Sequence, residues 1–146
     1  MIKWLIAGVF VVMSNFMLLS KANAANLNIE MLNKRDDGQK MVYSMDIAKI
    51  DVGDSITWVP TSKGHNVEIV AAPEGYEIPK KSKFNKEVTL DFSVPGVYYY
   101  ICTPHKTMGM IGLIVVGGDT SNKEEIAKAK ALGKSKKKLK KLLDEL

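Results

Sequence analysis

A nine-residue run, Cys102-Thr103-Pro104-His105-Lys106-Thr107-Met108-Gly109-Met110, sits between two apolar segments rich in strand formers, Val97 to Ile101 and Ile111 to Val116. It holds the only cysteine of the chain and one of its two histidines. The other, His65, lies far upstream in Lys63-Gly64-His65-Asn66-Val67-Glu68. A short loop carrying soft donors between two strands needs a stiff framework to hold it. The rest of the chain therefore has to supply a β scaffold whose strand ends converge on that loop.

The segment from about Asn26 to Val116 has the right pattern. Leu27-Asn28-Ile29-Glu30-Met31 alternates apolar and polar residues, as a half-buried strand does. Met41 to Tyr43, Ile47 to Ile50, Ser55 to Val59, Val67 to Val70 and Glu87 to Phe92 are further strand candidates, separated by turns such as Asp51-Val52-Gly53-Asp54 and Pro95-Gly96. Seven to eight short strands at this spacing predict an all-β Greek-key sandwich. Ala71 to Lys86, with Pro73, Gly75, Pro79 and four lysines, lacks a strand period and reads as a long surface excursion with room for a helical turn.

After Gly117-Gly118 the pattern becomes helical. Ser121 with Glu124 has the spacing of a capping box, opening a helix over Lys123 to Leu132 that Gly133 can end. Ser135 can start a second helix, in which Leu139, Leu142, Leu143 and Leu146 form an apolar stripe among lysines. A membrane-surface helix is one reading. The stripe is narrow and lacks aromatics, so a helix lying on the sandwich is the expectation.

The first 24 residues have the layout of a secretory signal: Lys3, an apolar run from Trp4 to Met13, and the small-x-small site Ala22-Asn23-Ala24. Cleavage is expected after Ala24 rather than retention as a membrane anchor, since the strictly apolar run is short for a span. The expected organisation is residues 1–24 as a cleaved signal peptide, 25–118 as the sandwich and 119–146 as a helical extension of the same domain. The whole chain carries a formal charge of +5. Loss of Lys3 and Lys21 with the signal leaves +3, too little for a nucleic-acid footprint but suited to an acidic protein surface. The expected product is exported to the periplasm, has no stable membrane insertion and is a monomer.

Export bears on Cys102. A lone thiol in an oxidising compartment has no internal disulfide partner, so it is either buried and inert or held by a metal. One thiolate, two imidazoles and a thioether suit both oxidation states of copper with little rearrangement, as a one-electron carrier requires. Four protein donors leave no open coordination position, so no catalytic residue is expected and the chain is read as a carrier rather than an enzyme. Cys102, His105 and His65 are the evident donors, and either Met108 or Met110 can supply the thioether. Pro104 stiffens the loop and Gly109 permits close backbone approach.

These residues resemble the cupredoxin family. The likeness extends over Met31-Leu32-Asn33-Lys34, Gly53-Asp54, Lys63 to Glu68, Pro95 to Tyr98, and Cys102 through Ile111. The two C-terminal helices resemble one branch of that family, whereas plastocyanin-like members end after the last strand. The resemblance implies one type 1 copper held by His65, Cys102, His105 and Met110, with no other cofactor. It gives Asn66 the role of a hydrogen-bond donor to the Cys102 sulfur. It also implies docking of redox partners around His105, through an apolar patch of Pro104, Met41 and Met110 and a ring of lysines drawn from Lys34, Lys63, Lys81, Lys83 and Lys106. The implied partners are copper nitrite reductase, nitrous oxide reductase or a c-type cytochrome. A departure lies at Ile101, where the family branch often has lysine, and at Lys106, where an aromatic is common. The competing reading is a periplasmic copper chaperone or store, but the chain has none of the exposed Met- or His-rich clusters such proteins use.

Overall fold

The computed structural model describes residues 23–146, so all but the last two residues of the expected signal segment lie outside it. Eight strands form two four-stranded sheets. They are β1 (Asn26–Lys34), β2 (Lys40–Tyr43), β3 (Ile47–Ile50), β4 (Ser55–Val59), β5 (Glu68–Ala71), β6 (Val88–Asp91), β7 (Gly96–Ile101) and β8 (Ile111–Val116). One sheet has the order β2-β1-β4-β6 and the other β3-β8-β7-β5. The β1–β4 and β3–β8 pairs are parallel and the rest antiparallel. Every connection from β2 to β7 crosses between the sheets, which builds the expected sandwich.

The alternation read in β1 is realised: Ile29 and Met31 point inward while Glu30 stays exposed. The inter-sheet core is aromatic. Trp58 meets Tyr100 edge-on at 5.3 Å and Tyr43 packs on Tyr100 at 4.8 Å.

β7 and β8 follow a different rule, since all six residues of each are buried. Tyr98, Tyr100, Cys102, Ile114 and Val116 enter the inter-sheet core. Val97, Tyr99, Ile101, Ile111, Leu113 and Val115 face the opposite way, into a second cluster with Ile126, Leu139, Leu142 and Leu143. Those four belong to two helices, α1 (Lys123–Ala127) and α2 (Lys134–Asp144), laid across the outer face of the sheet. An unbroken apolar run is what a strand covered on both faces requires. The leucine stripe of α2 is therefore a packing surface, as expected.

Several local expectations need correction. Residues 72–87 contain turns but no helix. Ser121 and Glu124 form no capping box. The first cap position is Asn122, whose side chain instead accepts from the Val97 N–H at 2.8 Å and donates to the Val97 carbonyl at 2.9 Å. That amide binds the edge of a strand and is unavailable to the helix end. Helix α1 then stops at Ala127, and Ala129 and Ala131 turn onto the second cluster. Gly133 does not end α1; with φ of 58° it caps the start of α2, and Ser135 lies buried within that helix.

Candidate metal centre

Strand register assembles the site. Glu68 of β5 pairs with Ile101 of β7, which brings His65 and Asn66, just before β5, alongside Cys102, just after β7. Ile101 also pairs with Ile111, and the Cys102 N–H donates to the Met110 carbonyl at 2.9 Å across the mouth of the loop. Cys102 continues the parity of Tyr98 and Tyr100, so its sulfur points between the sheets and not toward the helices. A short 3₁₀ turn, Thr103–His105, with Pro104 in its first turn, folds His105 back over the sulfur. Gly109 has φ of 98°, so it is needed for backbone conformation; a Cβ there would make only ordinary contacts. The expected reason, close approach, is not the operative one.

The three donor atoms converge. His65 Nδ1 lies 3.2 Å from His105 Nδ1, and the Cys102 sulfur lies 3.3 Å from His105 Nδ1 and 3.7 Å from His65 Nδ1. A point equidistant from these three atoms is about 2.0 Å from each, the length of a metal–imidazole bond. Among the described residues this is the one cluster of three or more His, Cys, Asp or Glu donors able to hold a metal ion. His65, Cys102 and Met110 are fully buried, whereas His105 is half-buried and Met108 is 47% exposed.

Electrostatics keeps the nitrogens available. Burial pushes the His65 imidazole below its ordinary value, and the neighbouring His105 pushes it further. Burial also lowers His105. Both rings are neutral donors at neutral pH. Burial pushes the Cys102 thiol up, against backbone N–H groups of Asn66 and His105 that favour the thiolate. A metal ion bound there displaces the thiol proton.

The Asn66 N–H acts on the Cys102 thiol in the direction that favours the thiolate. The Asn66 side chain does more: Oδ1 accepts from the Thr103 N–H at 2.8 Å, and Nδ2 donates to Thr103 Oγ1 at 2.9 Å and to the Ser82 carbonyl at 3.3 Å. The Tyr43 hydroxyl donates to the Asn66 carbonyl at 2.9 Å. Thr103 Oγ1 in turn donates to Glu68 at 2.6 Å. Asn66 thus locks the His65 segment to the Cys102 segment.

Sequence reasoning missed Asn33. Its Oδ1 lies 2.8 Å from His65 Nε2, so Nε2–H donates there and the Nδ1 lone pair is left facing the other donors. No ligand spacing marks such a residue, although it lies in the stretch Met31 to Lys34 that carries part of the family likeness. Asn85 was also unmarked; its N–H donates to the His65 carbonyl at 3.0 Å and its side chain accepts from Gly64 at 2.5 Å. The next residue back, Phe84, is 53% exposed.

Of the expected docking residues, Met110 is corrected: it is fully buried in the inter-sheet core and offers a partner no surface. Pro104 and Lys106 are exposed on either side of His105, and Lys63 is exposed two residues before His65. Met41, half-buried, lies between the β2 partners of Leu32 and Lys34, and so beside Asn33; Lys34 is exposed at the same strand end. Lys81 and Lys106 line one groove with Thr103, Lys130 and Leu132, and Lys83 is exposed nearby in sequence.

The copper-binding proteins of the plastocyanin/azurin family match residues 29–117. Pseudoazurin from Paracoccus pantotrophus is 41% identical over 118 residues, 80% of either chain. Among solved structures, a pseudoazurin from Sinorhizobium superposes with a TM-score of 0.78 at 43% identity, covering 83% of this chain and 95% of that one. The native pseudoazurin from Hyphomicrobium denitrificans gives a TM-score of 0.76 at 37% identity, covering 83% and 98%.

Proposed function

From membership of the plastocyanin/azurin family of copper-binding proteins, to which this chain belongs as a pseudoazurin-type protein, we propose a specific ligand set, place and partner. The family fixes the coarser facts: the protein is a type 1 copper electron-transfer protein and not an enzyme. The metal ligands are His65, Cys102, His105 and Met110. Convergence of the two Nδ1 atoms and the sulfur is the observation that carries this reading. Met110 supports it as the thioether because it is buried in the same cluster as Cys102, while Met108 is turned outward.

Copper bound there supplies a one-electron couple, and the protein's own groups determine how the site works. Asn33 and Asn66 fix the donors before metal arrives, so little moves when the charge changes. His105 turns Nδ1 inward, which places the far edge of its ring toward the surface between exposed Pro104 and Lys106. That edge is the electron's exit. Pro104, Met41 and exposed Phe84 give an apolar contact zone, and Lys34, Lys63 and Lys106 steer an acidic partner onto it.

The chain is exported, cleaved after Ala24 and works in the periplasm as a monomer. No helix of the described residues is long and apolar enough to cross a membrane. Its partner is a denitrification reductase such as copper nitrite reductase. Visible absorption of the mature protein with one equivalent of Cu(II) tests the ligand set. An intense thiolate-to-copper band that bleaches with ascorbate is expected. Mixing the reduced protein with copper nitrite reductase and nitrite should return the colour. A colourless copper complex would overturn the ligand set and favour storage or delivery of the metal.

A further inference from the structure

Electron transfer by the loop gives the C-terminal extension no task beyond covering a sheet, yet α2 begins on the ligand loop itself. The Lys134 N–H donates to the Thr107 carbonyl at 2.9 Å. Gly133, with φ of 58°, passes so close that a Cβ there would lie 2.5 Å from the same oxygen and 3.3 Å from Thr107 Cα. On the loop side, Gly109 is buried against the Lys134 Cβ and the Lys138 side chain.

The helix is itself anchored. One turn on, Lys138 Nζ meets Asp46 Oδ1 at 2.7 Å. Asp46 also holds Arg35 through two hydrogen bonds, at 3.1 and 3.3 Å, and its carbonyl accepts from the Leu113 N–H. Leu139, Leu142 and Leu143 bury the remaining contact face. The start of α2 is thus a fixed point relative to β8.

The place it grips matters. Thr107 lies between His105 and Met110. The loop's internal hydrogen bonds here gather on the His105 carbonyl, from the Met108 N–H at 2.9 Å and, at 3.4 Å, from the Met110 N–H. The Thr107 carbonyl takes its donor from outside the loop. Without it, the segment joining the half-exposed histidine to the buried methionine would keep only bonds local to the loop, those on the His105 carbonyl and the one from the Ile111 N–H to the Gly109 carbonyl at 3.0 Å.

We propose that Gly133 and Lys134 are positioning residues for the copper centre: the first amide of α2 holds the Thr107 carbonyl and so sets where His105 stands relative to Cys102 and Met110. This rests on the reading of that loop as the copper loop. The helical extension is then part of the site's rigid support, coupled to the loop through one backbone hydrogen bond and the packing of Lys134 and Lys138 on Gly109.

Lys134 is the first residue of the helix, where proline is well tolerated. Lys134→Pro therefore removes the donor and sets its ring against the Thr107 carbonyl, displacing it, at a helix position that accepts proline, and Lys134→Ala keeps the amide and removes only the exposed side chain. Both are made in the full mature chain, alongside the unaltered protein. Lys134→Pro should change the ratio of the two thiolate-to-copper absorption bands and speed copper release to a chelator about tenfold. In the copper-free protein it should speed amide exchange at Met108 and Met110. Lys134→Ala should match the unaltered protein in all three. Gly133→Ala, which crowds the same carbonyl from the neighbouring residue, should move the same readouts even if its melting temperature falls.

Identical spectra, release and exchange in Lys134→Pro and Lys134→Ala would overturn the proposal. So would a Gly133→Ala variant that is less stable but spectrally unchanged. If the unaltered protein shows no thiolate-to-copper band, the copper-loop reading itself fails; amide exchange in the metal-free chain still reports whether α2 holds the loop.

Discussion

The two faces of β7 are equally buried and differ in what they tolerate. Tyr98, Tyr100 and then Cys102 look into the space between the sheets and end at a cluster where one sulfur and two imidazole nitrogens meet within 4.8 Å. Val97, Tyr99 and Ile101 look the other way, onto leucines of α2 and Ile126 of α1. On the first face a substitution removes a particular atom at a particular place. On the second it removes area, and neighbouring apolar groups can partly refill the space. Residues one position apart in a single strand thus answer to different physics: directed chemistry on one side, summed contact on the other.

The contrast can be broken most severely at the sulfur. Cys102→Ala should abolish the thiolate-to-copper absorption altogether, while the copper-free protein still unfolds cooperatively in denaturant. A variant that kept the intense band would mean that the sulfur has no part in the colour.

On the helix face the expected result is the reverse. Leu139→Ala should cost about 2–4 kcal/mol of unfolding free energy, through lost burial and a cavity, and leave the absorption spectrum in place. Urea unfolding with parallel spectra checks this. A lost or altered band would show that the two faces are coupled through the strand, and would sharpen the case for α2 as part of the site.

Asp46 tests the electrostatic tie between that helix and the sheets. Burial would raise its carboxyl, but the hydrogen bonds from Arg35 and the ion pair with Lys138 outweigh burial and hold it below the ordinary value of 3.8. A carboxyl depressed in the folded state stabilises fully above its unfolded value, and the contribution fades as pH falls through the folded one. Asp46→Asn should therefore lose about 1–3 kcal/mol at pH 7, with the gap to the unaltered protein closing below about pH 4. Unfolding curves at pH 7, 4 and 3 measure it. A gap independent of pH would assign the loss to packing.

The smallest effect belongs to the surface. Lys106→Glu should slow association with an acidic redox partner several-fold at low salt, with the difference shrinking as salt rises, and leave spectrum and stability unchanged. Stopped-flow mixing at two ionic strengths reads it. No change in rate would remove Lys106 from the docking surface.

Much of the scaffold was legible because it depends on local period. The expected strands at Ile47–Ile50, Ser55–Val59 and Ile111–Val116 have the same bounds in the fold. The leucine spacing of α2 correctly implied a packed face. The capping motif at Ser121 failed for the opposite reason: Asn122 bonds to Val97, and no local rule knows that a strand edge will be there. Asn33 and Asn85 were invisible for the same cause, each meeting the His65 segment only after distant strands have paired.

By itself the sequence determined the chemistry available: one thiol, two imidazoles, a choice of thioethers, and a β framework to carry them. Side-chain donor properties and the two-residue strand period are local, so they can be read along the chain. The tertiary structure decided which atoms meet. Pairing of β5 with β7 and of β7 with β8 put His65 and Met110 beside Cys102, with Met110 buried and Met108 outside, and packing of α2 on the outer face of that sheet set its first amide against Thr107. Register and crossing between sheets are properties of contacts between residues far apart in the chain. They are fixed by the mutual burial of two surfaces, which neither segment specifies alone.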